Sequence, residues 1–469
     1  MKNKANSLIL LFFLWTFLKA QEIVWLRRFN LGINEYAGGI TFDQEGNIII
    51  GGATKNSNSG YDILLVKYNQ NGETIWTRRY IENEDEWLTS ITIDHEGNII
   101  GVGGHSNDTI EAQCMIIKFS PNGNILWKRY YRLQDMDGFI DLIMDDSNNI
   151  IVTGFSYSYS GGGSSFGFLR KYDPYGNEIW TKFHTWTGFI NGITKLPYNS
   201  YFWATGTYGR EQMVIIKFNS FGDTIWTKKL PRTCGIGFGI NFDPLGNIIA
   251  VGYEREGNLY DWRVIKCNQE GNIIWTRRED FMPYEYAISV ACDSYGNIYV
   301  GGNIGRLSSP FVDTCDYLLA KYSPEGETIY TCRYDGGYDD KLSKVIIDNY
   351  GNPIITGSSV NSSNYDILTI KYFGTGIEEN NLTKKLDFKI FQNYLKNQFT
   401  INFNLPKESI LKIEIFDISG KLHKIIKLGK LKKESHQIKL NLLQFPKGIY
   451  FLHLKYGKEK ITEKFIILK

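Results

Sequence analysis

The chain has little cysteine and little histidine, six of each among 469 residues. No Cys-x-x-Cys pair occurs, so a structural zinc site has little support. Cys315 and Cys332 fall on strands that we expect to be neighbours in one repeat, and the sequence alone does not decide whether a disulfide joins them. The formal net charge is only +2, so overall charge gives no indication of nucleic-acid binding.

Long apolar runs are also absent after the N-terminus, and we predict no transmembrane segment in the mature chain. The first twenty residues have the pattern of a secretory signal peptide. Lys2 and Lys4 supply positive charge, residues 8–18 form an apolar run too short to span a bilayer, and Ala20 offers a small residue for cleavage. We therefore predict a signal peptide over residues 1–20.

Arginine is absent from residues 386–469, which hold 17 lysines against seven acids and carry a net charge of +10. By difference, and after the three lysines of the first twenty residues, residues 21–385 carry a net charge of −11. An acidic body followed by a lysine-rich tail indicates two parts with different roles.

What the chain does contain is a pattern repeated about every fifty residues, the size of one four-stranded propeller blade. Three landmarks return in order: a Gly-Asn turn, a lysine that usually precedes an aromatic residue, and a tryptophan. The lysines are Lys67, Lys118, Lys171, Lys217, Lys266, Lys321 and Lys371, and the tryptophans are Trp25, Trp76, Trp127, Trp180, Trp226 and Trp275, with Tyr330 in the seventh copy. A phased series of three landmarks is a strong indication of a repeat architecture.

One repeat, residues 36–80, reads as four strands separated by turns. Asp43 begins a tight turn in which its carboxylate can bond the turn backbone and Gly46 can take a positive φ. We interpret the tryptophan as a buried wedge between sheets. The basic pairs that follow it, such as Arg78-Arg79 and Lys228-Lys229, are interpreted as charges that protect an exposed outer edge.

The two ends of the repeated region complement each other. The seventh repeat stops after Lys371 and Tyr372 with no tryptophan strand, whereas residues 24–29 form an unpaired tryptophan strand at the start. A closed ring lets this strand complete the last blade. The sequence therefore predicts an all-β fold: a seven-bladed β-propeller closed by the N-terminal strand.

The phased Asp-x-x-Gly-Asn and Gly-x-x-Ile-Trp units resemble the seven-bladed β-propeller repeat family of exported bacterial proteins over residues 22–374. Residues 69–76 are also similar to the Asp-box turn of sialidase-type propellers, which is structural. The Gly-x-x-x-Trp ending resembles quinoprotein repeats, but the vicinal cysteine pair of many such enzymes is absent, so no cofactor is expected. These families indicate architecture and not activity.

The tail alternates around glycine-centred turns, which predicts a small C-terminal β-sandwich. Its series of motifs resembles the C-terminal sorting domain of the type IX secretion pathway. That resemblance implies a sorting signal, the type IX secretion machinery as a partner, and a protein secreted or anchored to the outer cell surface. The residues of the implied signal are Gly448, Tyr450, Lys464 and Lys469. The predicted domains are a signal peptide at 1–20, the propeller at 22–374, a linker at 375–387 and the sorting domain at 388–469.

Antiparallel strand order places both tight turns of each repeat on one face and the loops of variable length on the other. Variable loops on a rigid scaffold are where binding residues concentrate. Near the starts of the innermost strands, on the variable-loop face, lie Tyr36, Trp87, Phe189 and Tyr286. These residues are candidates for an aromatic platform that binds a glycan or a protein ligand, and packing between blades is the alternative explanation for them.

No catalytic group emerges from the sequence. Asp335, Asp339 and Asp340 lie in an acid-rich loop, but it lacks the alternating carboxylate spacing of a standard calcium loop, so no metal is predicted. We predict a secreted or cell-surface binding scaffold. The alternative is a secreted hydrolase or lyase that acts on polysaccharide, which requires acids and arginines converging on the variable-loop mouth.

Overall fold

The computed structural model describes residues 22–374 and 387–467, apart from 57–59, 108–109, 160–163, 186, 198, 210–211, 231–233, 258, 283, 310–311, 362–363, 394–397, 405–407, 418–420, 433–434, 442–444, 447 and 457–458. The chain separates into two compact units, residues 1–377 and 378–469. The predicted signal peptide, the predicted linker up to residue 386, and Lys469 lie outside the described residues.

The first unit is built from strands only, within the residues described. They are β1 Ile23–Phe29, β2 Glu35–Phe42, β3 Ile48–Asn56, β4 Gly60–Tyr68, β5 Thr74–Tyr80, β6 Asp85–Ile93, β7 Ile99–Asn107, β8 Ile110–Phe119, β9 Ile125–Tyr131, β10 Met136–Met144, β11 Ile150–Ser158, β12 Ser164–Tyr172, β13 Glu178–His184, β14 Thr187–Lys195, β15 Phe202–Tyr208, β16 Gln212–Phe218, β17 Thr224–Lys229, β18 Cys234–Phe242, β19 Ile248–Glu256, β20 Leu259–Cys267, β21 Ile273–Glu279, β22 Tyr284–Cys292, β23 Ile298–Ser309, β24 Val312–Tyr322, β25 Thr328–Tyr334, β26 Asp340–Ile347, β27 Pro353–Asn361 and β28 Asn364–Tyr372.

The tight turn between β2 and β3 forms as its residues predict. The Asp43 Oδ1 atom accepts hydrogen bonds from the amides of Glu45 at 2.9 Å and Asn47 at 2.8 Å. Gly46 has a φ of 80°, a conformation that glycine adopts without steric cost. The same carboxylate-to-amide bonds recur at the turns that begin with Asp94, Asp145, Asp243, Asp293 and Asp348.

The strands form antiparallel four-stranded sheets that repeat along the chain, an arrangement consistent with a propeller. Strands β2 to β5 make one such sheet, and β14 to β17 make another. Two larger sheets each contain two four-stranded meanders joined by one parallel bridge, at Met136 with Ala112 and at Tyr260 with Tyr284. The remaining sheet has the order β1-β28-β27-β26, with Trp25 of β1 opposite Lys371 of β28.

The core of the first unit lies between neighbouring sheets. Ile48 and Ile50 of β3 pack in one cluster with Ile354 and Ile367 from the β26–β28 sheet. Ile49 points to the other face and joins residues of the β6–β9 sheet, and both faces of the strand are therefore buried. Because both faces are buried, β3 begins with three consecutive apolar residues and does not alternate apolar with polar residues as a half-exposed strand does.

The landmark tryptophans lie against the turn of the next sheet. The Trp25 Nε1–H donates to the carbonyl of Gln70 at 3.1 Å. A Cβ atom placed at Gly72 would stand only 2.8 Å from the Trp25 indole, so only glycine leaves room for the ring there. Equivalent ring-on-glycine contacts join Trp127 with Gly176, Trp180 with Gly222, Trp226 with Gly271 and Trp275 with Gly326.

The strand register argues against a disulfide between Cys315 and Cys332. Cys332 lies opposite Leu319 in the β24–β25 pair, four residues from Cys315. Four residues along a strand span about 13 Å, whereas bridged cysteines need Cα atoms within about 7 Å. This register therefore does not allow a bridge between these two cysteines.

The second unit consists of strands β29 Asp387–Asn393, β30 Gln398–Asn404, β31 Ser409–Asp417, β32 Leu422–Leu431, β33 Ser435–Asn441, β34 Gly448–Tyr456 and β35 Glu459–Ile467. They form two antiparallel sheets, with the orders β29-β30-β33 and β32-β31-β34-β35. Ile413, Leu452 and Leu454 are the centre of its core, and Ile438 of the three-stranded sheet packs against that core.

Substitution of Trp25 by Ala tests the role of the N-terminal strand. The change removes a side chain that is 7% exposed and its hydrogen bond to Gln70, and we expect a loss of about 3 kcal/mol in the free energy of unfolding. Tryptophan fluorescence in urea measures it, because residues 378–469 contain no tryptophan. Ile23→Ala, on the same strand but 44% exposed, should change stability by less than about 0.5 kcal/mol. Equal stability of the two variants would contradict this role.

Candidate functional site

The four predicted aromatic residues occupy the same register position on four innermost strands. Tyr36, Trp87, Phe189 and Tyr286 each lie one residue before the point where the pairing of β2, β6, β14 or β22 shifts. Each side chain is half-buried. The same position holds Gly138, Ile236 and Lys341 on β10, β18 and β26.

Tyr36 belongs to a first tyrosine cluster, which also contains Tyr61 and Tyr365. Its ring centroid lies 5.9 Å from that of Tyr61 and 5.2 Å from that of Tyr365. The Tyr365 hydroxyl donates to Asp339 at 2.8 Å, and its amide donates to Asn34 at 3.0 Å. The cluster combines one residue from β2, one from β4 and one from β28, so it spans two sheets.

Tyr286 belongs to a second tyrosine cluster with Tyr253, Tyr260 and Tyr284. Its centroid lies 5.3 Å from Tyr253 and 5.4 Å from Tyr260, while Tyr260 stacks on Tyr284 at 5.5 Å. Arg255 lies over the Tyr260 ring at 5.6 Å. The result is a group of half-buried rings with a cation beside them, on the variable-loop side of the sheets.

The other two predicted residues have different surroundings. Phe189 contacts the ring of Phe155 at 5.2 Å. Trp87 lies on the backbone of Gly104, where an added Cβ atom would stand 2.2 Å from the indole. The structure therefore places the four predicted residues in four separate sets of contacts. Sequence reasoning missed their partners. The available signal was a Tyr-Asp pair repeated near the start of the third strand: Tyr61-Asp62, Tyr260-Asp261 and Tyr365-Asp366.

The aspartate of that pair forms an ion pair with the second basic residue after the tryptophan landmark. Arg79 approaches Asp62 at 2.7 Å, and Arg28 approaches Asp366 at 3.1 Å. Both aspartates are fully buried. Arg79 lies on the edge strand β5, as expected for the basic pair, but its guanidinium also neutralises a buried carboxylate on the adjacent strand, a role that the sequence interpretation did not include.

Buried acids hold the loops that lead into the innermost strands. Glu35 accepts the Leu31 amide at 3.2 Å, and Glu285 accepts the Met282 amide. Both carboxylates are fully buried. Burial raises the pKa of Glu35 to about 7 and that of Glu285 to about 7. The two acids directly precede Tyr36 and Tyr286 in the chain.

A cavity of about 370 Å³ is lined by residues of all the strands β2, β6, β10, β14, β18, β22 and β26. Lys344 of β26 reaches across it to Asp141 of β10 at 3.1 Å. The same carboxylate accepts the Ser90 hydroxyl at 2.7 Å and the Ile193 amide at 3.3 Å. Asp141 thus links four innermost strands through one carboxylate, which suits a structural role.

Three carboxylates, from Asp316, Asp335 and Asp340, bring oxygen atoms within 4.8 Å of one another. Arg333 bonds Asp316 at 2.6 Å and Asp335 at 3.2 Å, so a guanidinium already supplies positive charge there. Asp339, the third acid of the predicted loop, instead bonds Tyr365 and Lys341. The cluster is the recurrent Arg–Asp pair with further acids added.

Residues 389–468 match the family model described as secretion system C-terminal sorting domain. The tail is a type IX sorting domain. It implies handling by the type IX machinery, with export to the outer cell surface or secretion. Gly448 lies on β34, Lys464 on β35 opposite Phe451, and the buried Tyr450 donates its hydroxyl to the Pro446 carbonyl at 3.0 Å.

The remaining similarities are distant. An uncharacterized WD repeat-containing protein of Acanthamoeba polyphaga mimivirus is 20% identical, over 63% of this chain and 31% of its own length. This chain therefore spans about a third of that protein. Among solved structures, Sqt1 from Chaetomium thermophilum gives a TM-score of 0.44 at 11% identity, covering 81% of this chain and 97% of Sqt1. A puromycin hydrolase gives a TM-score of 0.47 at 10% identity, covering 82% of this chain and 62% of its own.

Among the described residues, no helix has the length and apolar character to cross a membrane.

Glu35→Gln tests the buried acid beside the first tyrosine cluster. A carboxyl whose pKa is raised to about 7 in the folded state ionises at lower pH in the unfolded chain. Folding stability therefore falls as pH rises from about 4.5 to about 7, by at most about 3 kcal/mol from this group. The variant should lose that part of the pH dependence and be more stable than the parent protein at about pH 8. Urea unfolding at several pH values measures this, and parallel curves for the two proteins would refute it.

Proposed function

We propose that residues 22–374 form a seven-bladed β-propeller closed by the N-terminal strand, followed by a linker at 375–387 and the sorting domain at 388–469. The pairing of β1 with β28 supports closure. So does the contact of β2 with β26 and β28, which joins the first repeat to the last. The cavity lined by the seven innermost strands supports the blade number.

We propose further that this propeller is an exported binding scaffold and that its variable-loop face holds a glycan or a protein ligand. The observation that carries the proposal is the common position of Tyr36, Trp87, Phe189 and Tyr286, half-buried at the start of innermost strands. A half-buried ring keeps one face for a ligand while packing fixes the other. Rigid aromatic side chains provide contact area at low cost in conformational entropy.

Hydrolysis of polysaccharide is less well supported. A glycosidase needs two carboxylates that reach the scissile bond, one with a raised pKa. Glu35 and Glu285 have the raised pKa, but both are fully buried and accept backbone amides. Their geometry therefore serves the loops. A binding role uses what the face exposes, which is aromatic rings beside Arg255 and Lys341.

Alanine substitution of Tyr36 and Tyr286 tests the binding proposal. Glycan and peptide arrays probed with the full chain identify a ligand, and its affinity is then measured by titration calorimetry. We expect each substitution to weaken binding about tenfold and to lower the melting temperature by less than about 3 °C. Tyr175→Ala, at an exposed turn on the opposite face, is the matched control. Retained affinity in both variants, or turnover of a bound polysaccharide, would reject a binding scaffold at this face.

Deletion of residues 388–469 tests the export route. In the producing bacterium, we expect the truncated protein to remain in the periplasm, whereas the full chain reaches the cell surface or the medium. Cell fractionation with an antibody against the propeller measures this. Surface delivery of the truncated protein at the parent level would exclude the tail as the export signal.

A further inference from the structure

The tight turns of consecutive sheets touch one another on the face opposite the variable loops. The Gln44 side chain donates to the His95 carbonyl at 3.1 Å, and the His95 amide donates to Asn148 at 3.0 Å. A Cβ atom at Gly296 would lie 3.9 Å from Pro244 of the preceding turn. A cavity of about 200 Å³ places Tyr350 beside the turn that contains Gln44. The first turns of neighbouring sheets are thus in contact at these places and form a surface on this face.

Part of this surface is strongly apolar. The third residue of the turns after β18, β22 and β26 is Leu245, Tyr295 and Tyr350, with exposures of 84%, 75% and 76%. We call these three residues the apolar sector. The same position after β2, β6 and β10 holds Glu45, Glu96 and Ser147.

The turn itself does not require apolar residues at this position. The amide of the third residue donates to the turn aspartate, at 2.9 Å for Leu245, 2.9 Å for Tyr295 and 2.8 Å for Tyr350. The Glu45 amide makes the same bond at 2.9 Å. The turn therefore forms with a charged side chain at this position as well, and large exposed apolar groups on neighbouring turns indicate a contact surface.

The surroundings of the apolar sector are acidic. Glu270 and Glu325 are exposed on the second turns of the same sheets, and Glu45 is exposed on the turn beside Tyr350. Arg277, on the outer strand of the first of these sheets, is paired with Glu327 at 2.6 Å. Residues 21–385 carry a net charge of −11. A ligand with positive charge is electrostatically complementary to this surface.

The exposed area of the apolar sector limits the size of the partner that it can bind. Three side chains at these exposures present about 400 Å², roughly half of what each partner buries in a standard protein interface. A second copy of the chain would need a larger patch. A short extended segment fits, since lysine and arginine stems cover aromatic rings while their charged ends reach the glutamates. We propose that the apolar sector binds a lysine- or arginine-rich peptide segment of a partner protein.

Fluorescence anisotropy with the full chain tests this site. The probe is a fluorescein-labelled octapeptide of alternating lysine and arginine, and the matched acidic probe alternates glutamate and aspartate. We expect the basic peptide to bind more tightly at low salt, and Tyr295→Ser with Tyr350→Ser to weaken binding about tenfold through loss of two cation–π contacts. The control double variant is Tyr175→Ser with Phe221→Ser, whose side chains are 74% and 69% exposed on other turns of the same face. It should bind within about twofold of the parent protein.

Four results would overturn the proposal. They are absence of binding by the parent protein, equal binding of the acidic peptide, an equal loss in the control variant, and unchanged affinity in the Tyr295 and Tyr350 variant. Sedimentation velocity tests whether a second copy of the chain occupies the surface instead. If the parent protein is a dimer and the Tyr295→Ser, Tyr350→Ser variant is a monomer, the surface is a dimer interface and the peptide proposal is wrong. Matching tryptophan-fluorescence unfolding curves establish that both variants remain folded.

Discussion

The repeated architecture depends on a buried ion pair between the landmark lysine and the first aspartate of the tight turn. Lys67 approaches Asp43 at 2.7 Å, and the pair recurs at Lys118–Asp94, Lys171–Asp145, Lys266–Asp243 and Lys371–Asp348. Burial opposes ionisation of Asp43, but hydrogen bonds from Lys67 and Asn47 outweigh it and lower its pKa. One carboxylate therefore both closes the turn and neutralises a buried ammonium, so loss of either partner leaves an uncompensated charge.

The same lysine extends the link to the next sheet. Lys266 donates to the Pro324 carbonyl at 2.9 Å, and Trp275 donates to the same carbonyl at 3.0 Å. Where the sheet that contains β1 and β28 meets the first repeat, Lys371 and Trp25 both donate to the Gln70 carbonyl, at 3.4 and 3.1 Å. This contact between strands that are distant in sequence therefore uses the same hydrogen bonds as a contact between consecutive repeats. In the irregular fourth repeat, which lacks the aspartate, Lys217 instead lies near aromatic rings, 4.5 Å from Tyr201 and 5.1 Å from Trp203.

Much of the scaffold was predictable because its determinants are local. The turn that begins at Asp43 needs only five consecutive residues, and strand periodicity follows from its neighbours. The site was less predictable because its contacts join distant segments. Tyr36 meets Tyr365 only after the last sheet pairs with the first strand, and Asp62 meets Arg79 through a register that sequence does not state. A pair of basic residues therefore suggested an exposed edge when one of them was already neutralising a buried acid.

The turns separate the demands of folding from those of recognition. Their first and fourth positions are fixed by the side-chain acceptor and the positive φ, as in Asp293 and Gly296. The third position always contributes its amide, and its side chain is exposed in both Glu45 and Tyr295; the Glu45 carboxylate adds one exposed hydrogen bond, from the Asn47 side chain at 3.1 Å. Substitution there changes the chemistry of the surface at almost no cost to the fold. A repeat built in this way can alter one sector of its face independently of the others, since neighbouring turns share packing but not the exposed side chains.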